Sequence, residues 1–165
     1  MVGKRKMAES GIRIRLANVN DIPGVIELWK EHLDYHAGWD PYFERAAGAE
    51  AGFGEYLTQN LANIGLFVAE TDDGRLVGFI LLEMATRPPC FVNRTYGMIT
   101  DIAVTEEFRH RTIGQQLLEQ ALSWFVERDV HRIETSILDI NPLSTSFWRS
   151  AGFKCYLSRA YLQIE

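Results

Sequence analysis

The most informative segment of this sequence reads Ile99-Thr-Asp-Ile-Ala-Val104-Thr-Glu-Glu-Phe-Arg109-His-Arg-Thr-Ile-Gly114. It begins with strand character, continues through a short basic turn, and ends where a helix is predicted to begin. The free N–H groups and the dipole of a helix N-terminus attract anions, and two arginines add positive charge. A diphosphate matches these several donors better than a single carboxylate does. The alternative is a solvated loop in which the arginines pair with Glu106 and Glu107.

Hydrophobic patterns on both sides of this segment predict strands interspersed with helices. Strands are predicted at 12–16, 66–70, 76–84, 96–104 and 132–137, with a closing hairpin or ribbon from Phe153 onward. Helices are predicted at about 20–36, 53–64, 114–129 and 144–150. The glycine-rich stretch 37–54 predicts a loop or a broken helix. Hairpins combined with crossovers indicate a mixed sheet flanked by helices, in an α/β or α+β layer fold.

Length, charge and cysteine content restrict the class of protein. The 165 residues, 47% hydrophobic and 24% charged, are typical of one globular domain and exclude wholesale disorder. A net charge of -5 argues against a nucleic-acid partner. Two isolated cysteines exclude a disulfide framework, and no apolar run is long enough to span a membrane, so we expect a cytoplasmic protein without membrane contact. We expect a flexible tail at 1–11 and a single domain at 12–165.

Other motifs that carry chemistry are weaker or missing in the sequence. His32 and His36 have the spacing of zinc ligands on a helix, but no third ligand accompanies them. We therefore expect a solvated or loop-packing role for both histidines and no metal site. Without a nucleophile elbow, a Walker loop or a dinucleotide-binding glycine motif, hydrolase, NTPase and Rossmann functions lack support.

The segment at 104–118 resembles the acetyl-CoA signature of the GCN5-related N-acetyltransferase (GNAT) superfamily. That signature has Arg or Gln, then a glycine three residues on and Gly or Ala two further, and here it reads Arg109-x-x-Thr112-x-Gly114. Thr112 departs from the pattern, because it adds a Cβ atom and restricts φ where the family has glycine. A second match, Asn141-Pro-Leu-Ser-Thr-Ser-Phe-Trp148 followed by Gly152-Phe, stands downstream. The resemblance extends from Ile12 to the C-terminus.

The resemblance implies a mostly antiparallel sheet of the acyl-CoA N-acyltransferase type and acetyl-CoA as co-substrate. The pyrophosphate is expected on the backbone of 109–114, and the pantetheine arm beside 102–104 and the amide of Asn141. The N–H of Val104 is expected to donate to the thioester carbonyl. Asn141 has a second interpretation, as the cap of a short helix. The residues implied in cofactor binding are Ile102, Ala103, Val104, Arg109, His110, Arg111, Thr112, Ile113, Gly114, Gln115, Asn141 and Trp148.

The resemblance also implies direct attack of an amine on the thioester, which requires a group to take the proton of the amine. Asp101 is our prediction for that base, with Glu83 as its competitor and Tyr96 at the position used by histone-acetylating members. Each carboxylate has an alternative role as a structural hydrogen-bond acceptor. Trp148 stands where the family has a tyrosine that protonates the thiolate, and an indole cannot serve as an acid. Tyr156 and Tyr161 are the remaining phenols that we considered as substitutes.

The acceptor is expected to be a primary amine, of a small molecule or of a protein lysine. In the resembled family the region between the first two helices shapes the acceptor pocket, where aromatic side chains bind an ammonium group and a carboxylate balances its charge. The alternative is a loop held on the core by its own aromatic residues. The implied acceptor-binding residues are Tyr35, Trp39, Asp40 and Tyr42. A homodimer is a further expectation. The alternative function is a degenerate acyl-CoA-binding regulatory domain without turnover.

Overall fold

The computed structural model describes residues 11–164, so most of the predicted tail at 1–11 lies outside the described residues. Nine helices and strands follow in the predicted order within that range. They are β1 (Ile12–Leu16), α1 (Ile22–Ala37), α2 (Ala49–Asn60), β2 (Gly65–Thr71), β3 (Leu76–Thr86), β4 (Thr95–Val104), α3 (Ile113–Val126), β5 (Ile133–Thr135) and α4 (Pro142–Ser150). Short 3₁₀ turns lie at Val19–Asp21, Pro41–Phe43 and Glu106–Phe108.

The five strands form one sheet in the order β1-β2-β3-β4-β5. The first four strands are antiparallel neighbours, and β5 pairs with β4 in parallel after the crossover through α3. This arrangement confirms the prediction of a mixed, mostly antiparallel sheet flanked by helices.

Helices cover both faces of the sheet and bury two apolar clusters. Helices α1 and α2 pack on one face, where Val25 and Leu57 meet Phe79 and Leu81 of β3. Helix α3 packs on the other face, and its buried residues meet Ile80, Leu82 and Ile99. Gly97 permits close packing there, because a Cβ atom at this position would lie 2.5 Å from the ring of Phe125.

Strands β4 and β5 diverge after a short contact. Only Gly97, Met98 and Ile99 of β4 pair with β5, although β4 continues to Val104. The backbone of 100–104 therefore has a strand neighbour on the β3 side and a gap on the β5 side. Such a divergence leaves backbone donors and acceptors available to a ligand.

Two predictions about local structure are wrong. The closing hairpin expected from Phe153 onward is absent, because the described residues 153–164 contain no strand. Tyr156 instead reaches β5 through its side chain, and its hydroxyl donates to Glu134 at 2.6 Å. The predicted break at 37–54 ends earlier than expected, since α2 already begins at Ala49. Gly54 lies inside that helix and allows α2 to approach α1 closely, because a Cβ atom there would lie 2.9 Å from the side chain of Ile26.

Candidate active site

A cleft of about 450 Å³ opens where β4 leaves β5. Its walls come from α1, the exposed side of β4, the N-terminal turn of α3, the loop after β5, and α4. Its size is within the range of small-molecule sites, and it collects polar groups at one place. Among the predicted site residues, the cleft is lined by Tyr35, Asp101, Ile102, Ala103, Val104, Arg109, His110, Thr112, Ile113, Gly114, Gln115, Asn141 and Trp148.

A β-bulge in β4 directs Asp101 toward α1. Asp101 pairs with Leu81 of β3, whereas Ile99 pairs with Leu82, so Thr100 is an extra residue without a partner. The bulge reverses the alternation of side chains along β4, and Asp101 consequently shares a face with Glu83. That face is the one covered by α1 and α2.

The backbone of Val104 points into the gap between the diverging strands. The next residue, Thr105, donates its N–H to Val77 of β3 at 2.9 Å. Successive N–H groups of a strand point in opposite directions, so the N–H and C=O of Val104 face away from β3. The Nε of Arg109 donates to that carbonyl at 3.1 Å, and its guanidinium lies 4.7 Å from the ring centroid of Tyr35. The side chain of Arg109 thus bridges β4 and α1.

The N-terminus of α3 presents uncapped backbone donors to the cleft. Thr112 is the N-cap residue, but its side chain makes no capping bond and accepts instead from Gln116 Nε2 at 3.2 Å. The first N–H groups of this helix consequently lack intrahelical partners. His110 and Thr112 both have φ of 62°, which is a left-handed conformation. These two residues form the turn that immediately precedes α3. Gly114 packs against α4, since a Cβ atom there would lie 3.2 Å from Phe147.

Burial changes the acid–base properties of Asp101. Its side chain is 19% exposed, and desolvation raises the pKa of Asp101 from its usual value to about 6. A hydrogen bond from the Thr100 side chain acts in the opposite direction, and the nearby charge of Glu83 adds a smaller increase. At neutral pH this carboxyl group is ionised, yet it binds a proton more readily than an exposed aspartate does. These are the properties of a general base.

The two other catalytic candidates lie outside the cleft lining. Glu83 accepts a short hydrogen bond from the hydroxyl of Tyr56 on α2. Burial and this carboxylate together raise the pKa of Tyr56. Tyr96, near the other end of β4, lies beneath the guanidinium of Arg87 at 4.6 Å. Of the three candidates, Asp101 is the one that the structure brings to the cleft.

Asn141 and Trp148 each have a structural role beside the cleft. Asn141 is 2% exposed, and its Oδ1 accepts from the N–H groups of Leu143 and Ser144 as the cap of α4. Trp148 is 3% exposed and packs edge-on against Phe153 at 4.8 Å. Both residues also line the cleft, so each can have a structural role and still contact a ligand bound there.

The predicted acceptor residues divide into one that lines the cleft and three that lie apart from it. Tyr35 forms part of the α1 wall. Trp39 lies edge-on to Tyr35 at 6.3 Å, and Asp40 caps the following turn by accepting from the N–H of Tyr42 at 3.0 Å. Tyr42 is 91% exposed. The wall of the cleft is therefore formed by α1 itself and not by the loop that follows it.

Sequence reasoning missed the histidines as part of this wall. His32 and His36 line the cleft together with Glu31, although the sequence predicted solvated or loop-packing side chains. The i, i+4 spacing did show that both histidines share one face of α1. The sequence did not show that this face of α1 points into the cleft, because its orientation depends on how α1 packs on the sheet.

Within residues 11–164, no group of three or more His, Cys, Asp or Glu side chains is arranged to hold a metal ion. In the same range, every helix is too short or too polar to cross a membrane.

The mixed sheet, the divergent fourth strand and the uncapped helix N-terminus define an acyl-CoA N-acyltransferase fold. The model of the acetyltransferase (GNAT) family matches residues 25–153, and the chain belongs to this family. An uncharacterized N-acetyltransferase of Archaeoglobus fulgidus is 27% identical over 143 residues, which are 87% of this chain and 93% of that protein. The predicted family is thereby confirmed.

Solved structures share the fold over nearly the whole chain. A tetramutant of the BH1408 protein of Bacillus halodurans has a TM-score of 0.81 and 21% identity, covering 92% of this chain and 99% of that one. A predicted acetyltransferase of Clostridium acetobutylicum, solved with acetyl-CoA, has a TM-score of 0.76 and 19% identity, covering 92% and 96%. The aminoglycoside N-acetyltransferase AAC(6')-Iy, solved with a CoA-containing bisubstrate analog, has a TM-score of 0.74 and 18% identity, covering 94% and 99%.

Proposed function

We propose that this protein is an N-acetyltransferase that moves acetyl from acetyl-CoA to a primary amine by direct attack. The observation that carries this proposal is the convergence of two groups in one cleft. The N–H of Val104 faces the gap beside β4, and the carboxylate of Asp101 lies on the same strand segment. Acyl transfer needs a donor for the thioester oxygen and an acceptor for the amine proton, and this convergence supplies both.

The cofactor fits the residues along one side of the cleft. The uncapped N–H groups at the start of α3, together with the charge of Arg109, suit the pyrophosphate of acetyl-CoA. Arg111, the other predicted cation, is not among the residues that line the cleft, and its guanidinium lies 5.1 Å from the ring centroid of Phe108. The unpaired edge of 102–104 suits the pantetheine amides, because it offers strand-like donors and acceptors. Asn141 lines the same cleft. The thioester would then lie next to the end of β4.

The residues of this chain would divide the reaction into three tasks. Asp101 accepts a proton from the ammonium group, and the neutral nitrogen then attacks the thioester carbon. The N–H of Val104 stabilises the negative charge that develops on the carbonyl oxygen. As the new C–N bond forms, the nitrogen releases its second proton to water, and the C–S bond breaks so that CoA leaves as a thiolate. Trp148 cannot protonate that thiolate, so the sulfur takes its proton from water.

We propose a cationic small molecule or a lysine side chain as the acceptor. The acceptor side of the cleft contains the carboxylates of Glu31 and Asp101, which suit an ammonium group. The fold neighbour AAC(6')-Iy is named as an aminoglycoside N-acetyltransferase, which supports a test of small polycations first. A cytoplasmic location and a homodimer remain predictions.

Release of free thiol from acetyl-CoA tests this function. Purified protein is incubated with acetyl-CoA and a panel of aminoglycosides, polyamines, simple primary amines and lysine peptides. We expect at least one amine to stimulate thiol release and to gain an acetyl group by mass spectrometry. Binding of acetyl-CoA without release for any amine would favour the degenerate regulatory domain instead. Absence of acetyl-CoA binding would contradict both functions.

A further inference from the structure

His32 lies beside the proposed base, and both side chains line the cleft. Its Nε2 lies 3.7 Å from Oδ1 of Asp101, and the two side chains are 16% and 19% exposed. The contact joins α1 to β4, so it depends on the packing of the helix on the sheet rather than on neighbouring positions in the chain. The proposed reaction gives His32 no task of its own, although its ring nitrogen lies this close to the proposed base.

The surroundings of His32 keep its imidazole neutral. Burial lowers the pKa of His32 to about 4, with smaller contributions from His36 and Arg109. A neutral imidazole has one N–H donor and one acceptor nitrogen. When the proton is on Nε2, His32 can donate to a carboxylate throughout the pH range in which Asp101 is ionised.

We propose that His32 is a positioning residue that donates its Nε2–H to Oδ1 of Asp101 and orients this carboxylate toward the amine. The inference rests on the proposed function. At 3.7 Å the two atoms are too far apart for a hydrogen bond, but such contacts are often long before substrate binds and shorten in the reactive complex.

Other charged or titratable groups also surround Asp101 and must be separated from His32 in any test. Glu83 on β3 adds negative charge, and Tyr56 on α2 binds Glu83. Arg109, in the turn before α3, acts on His32 through its charge. Glu31 and His36 share the α1 wall, and burial lowers the pKa of His36. None of these groups is changed in the variants below, so a shift of the Asp101 midpoint would be due to His32.

Two variants of His32 separate a hydrogen bond from simple packing. His32→Phe removes the donor and keeps a ring, whereas His32→Gln keeps an N–H at a comparable reach. The ionisation of Asp101 is measured directly by carbon-13 NMR of its carboxyl group, and through the pH profile of kcat/KM for the amine. Loss of the donor in His32→Phe should raise the midpoint of the Asp101 titration by about one pH unit and lower kcat about five- to tenfold. A hydrogen bond to a charged group contributes on that scale.

We expect His32→Gln to return the midpoint most of the way to that of the wild type. His131→Gln is the matched control, because His131 is 80% exposed and pairs with Asp129 away from the cleft. An unchanged midpoint in a folded His32→Phe variant would overturn the proposal, because a purely structural histidine affects stability only. If His32→Phe does not fold, His32→Ala removes the same donor. If the wild type acetylates no amine, the proposed function fails, and the NMR midpoint still decides the role of His32.

Discussion

Asp101 lies on the same face of the sheet as Tyr96, although strict alternation along β4 would place these residues on opposite faces. The unpaired Thr100 between them accounts for this relationship. Without the bulge, the carboxylate of Asp101 would point toward the apolar cluster under α3. With it, the carboxylate faces α1 and lines the cleft.

Replacement of Asp101 by Asn should lower kcat by about 100-fold or more, since the amide keeps the shape of the side chain but cannot accept the proton. The affinity for acetyl-CoA should change little, because the cofactor is expected at α3 and the edge of β4. Steady-state kinetics and calorimetry measure the two quantities. Glu83→Gln is the matched control, as Glu83 is held by Tyr56 outside the cleft lining. If Glu83→Gln lost its activity and Asp101→Asn kept full activity, the base would be Glu83 instead of Asp101.

The dependence of kcat/KM on pH should show a limb that rises with an apparent pKa of about 6. Burial raises the pKa of Asp101 to about this value, and only the ionised form accepts a proton. Activity should therefore fall as the pH decreases below 6 and level off above it, until the amine itself titrates. Initial rates between pH 4.5 and 9 (roughly the range in which such groups titrate) measure the limb. Its persistence in Asp101→Asn would show that another group causes it.

Acetyl-CoA should raise the melting temperature of the wild type, because a ligand that binds only the folded state stabilises it by mass action. The double variant Arg109→Ala, Gly114→Pro should lose this shift, since it removes a cation and a backbone donor from the expected pyrophosphate site. Differential scanning fluorimetry measures the effect. Arg128→Ala, beyond the other end of α3, is the control that should keep the shift. An undiminished shift in the double variant would place the cofactor elsewhere.

Thr112→Gly should stabilise the protein by about 0.5–1 kcal/mol. The left-handed φ of 62° costs a β-branched residue about 1–2 kcal/mol, and glycine returns part of this gain as backbone entropy. The removal of Cβ should also tighten the binding of acetyl-CoA. Urea denaturation and calorimetry measure the two effects. Thr58→Gly inside α2 is the matched control and should destabilise slightly, as helical φ carries no such strain. A destabilised Thr112→Gly variant would contradict the account of strain.

The sequence by itself determined the order of helices and strands, the mixed sheet and the turn at which α3 begins. These features could be predicted because they depend on short-range periodicity and on two motifs, of which Arg109-x-x-Thr112-x-Gly114 marks the start of α3. The prediction of a closing hairpin after Phe153 was wrong, because pairing between strands is not a short-range property. A strand needs a partner as well as a pattern, and β5 has only three residues.

Only the tertiary structure decided which of the candidate residues meet. The bulge at Thr100 moves Asp101 to the α1 face, and a single unpaired residue reverses every later side chain on a strand without changing its composition. The contact between His32 and Asp101 likewise depends on how α1 packs on the sheet. The hydrogen bond between Tyr56 and Glu83 also depends on tertiary packing, and it holds the other candidate base outside the cleft lining. Register and helix packing arise from the sum of many distant contacts, so no local pattern in the sequence records them.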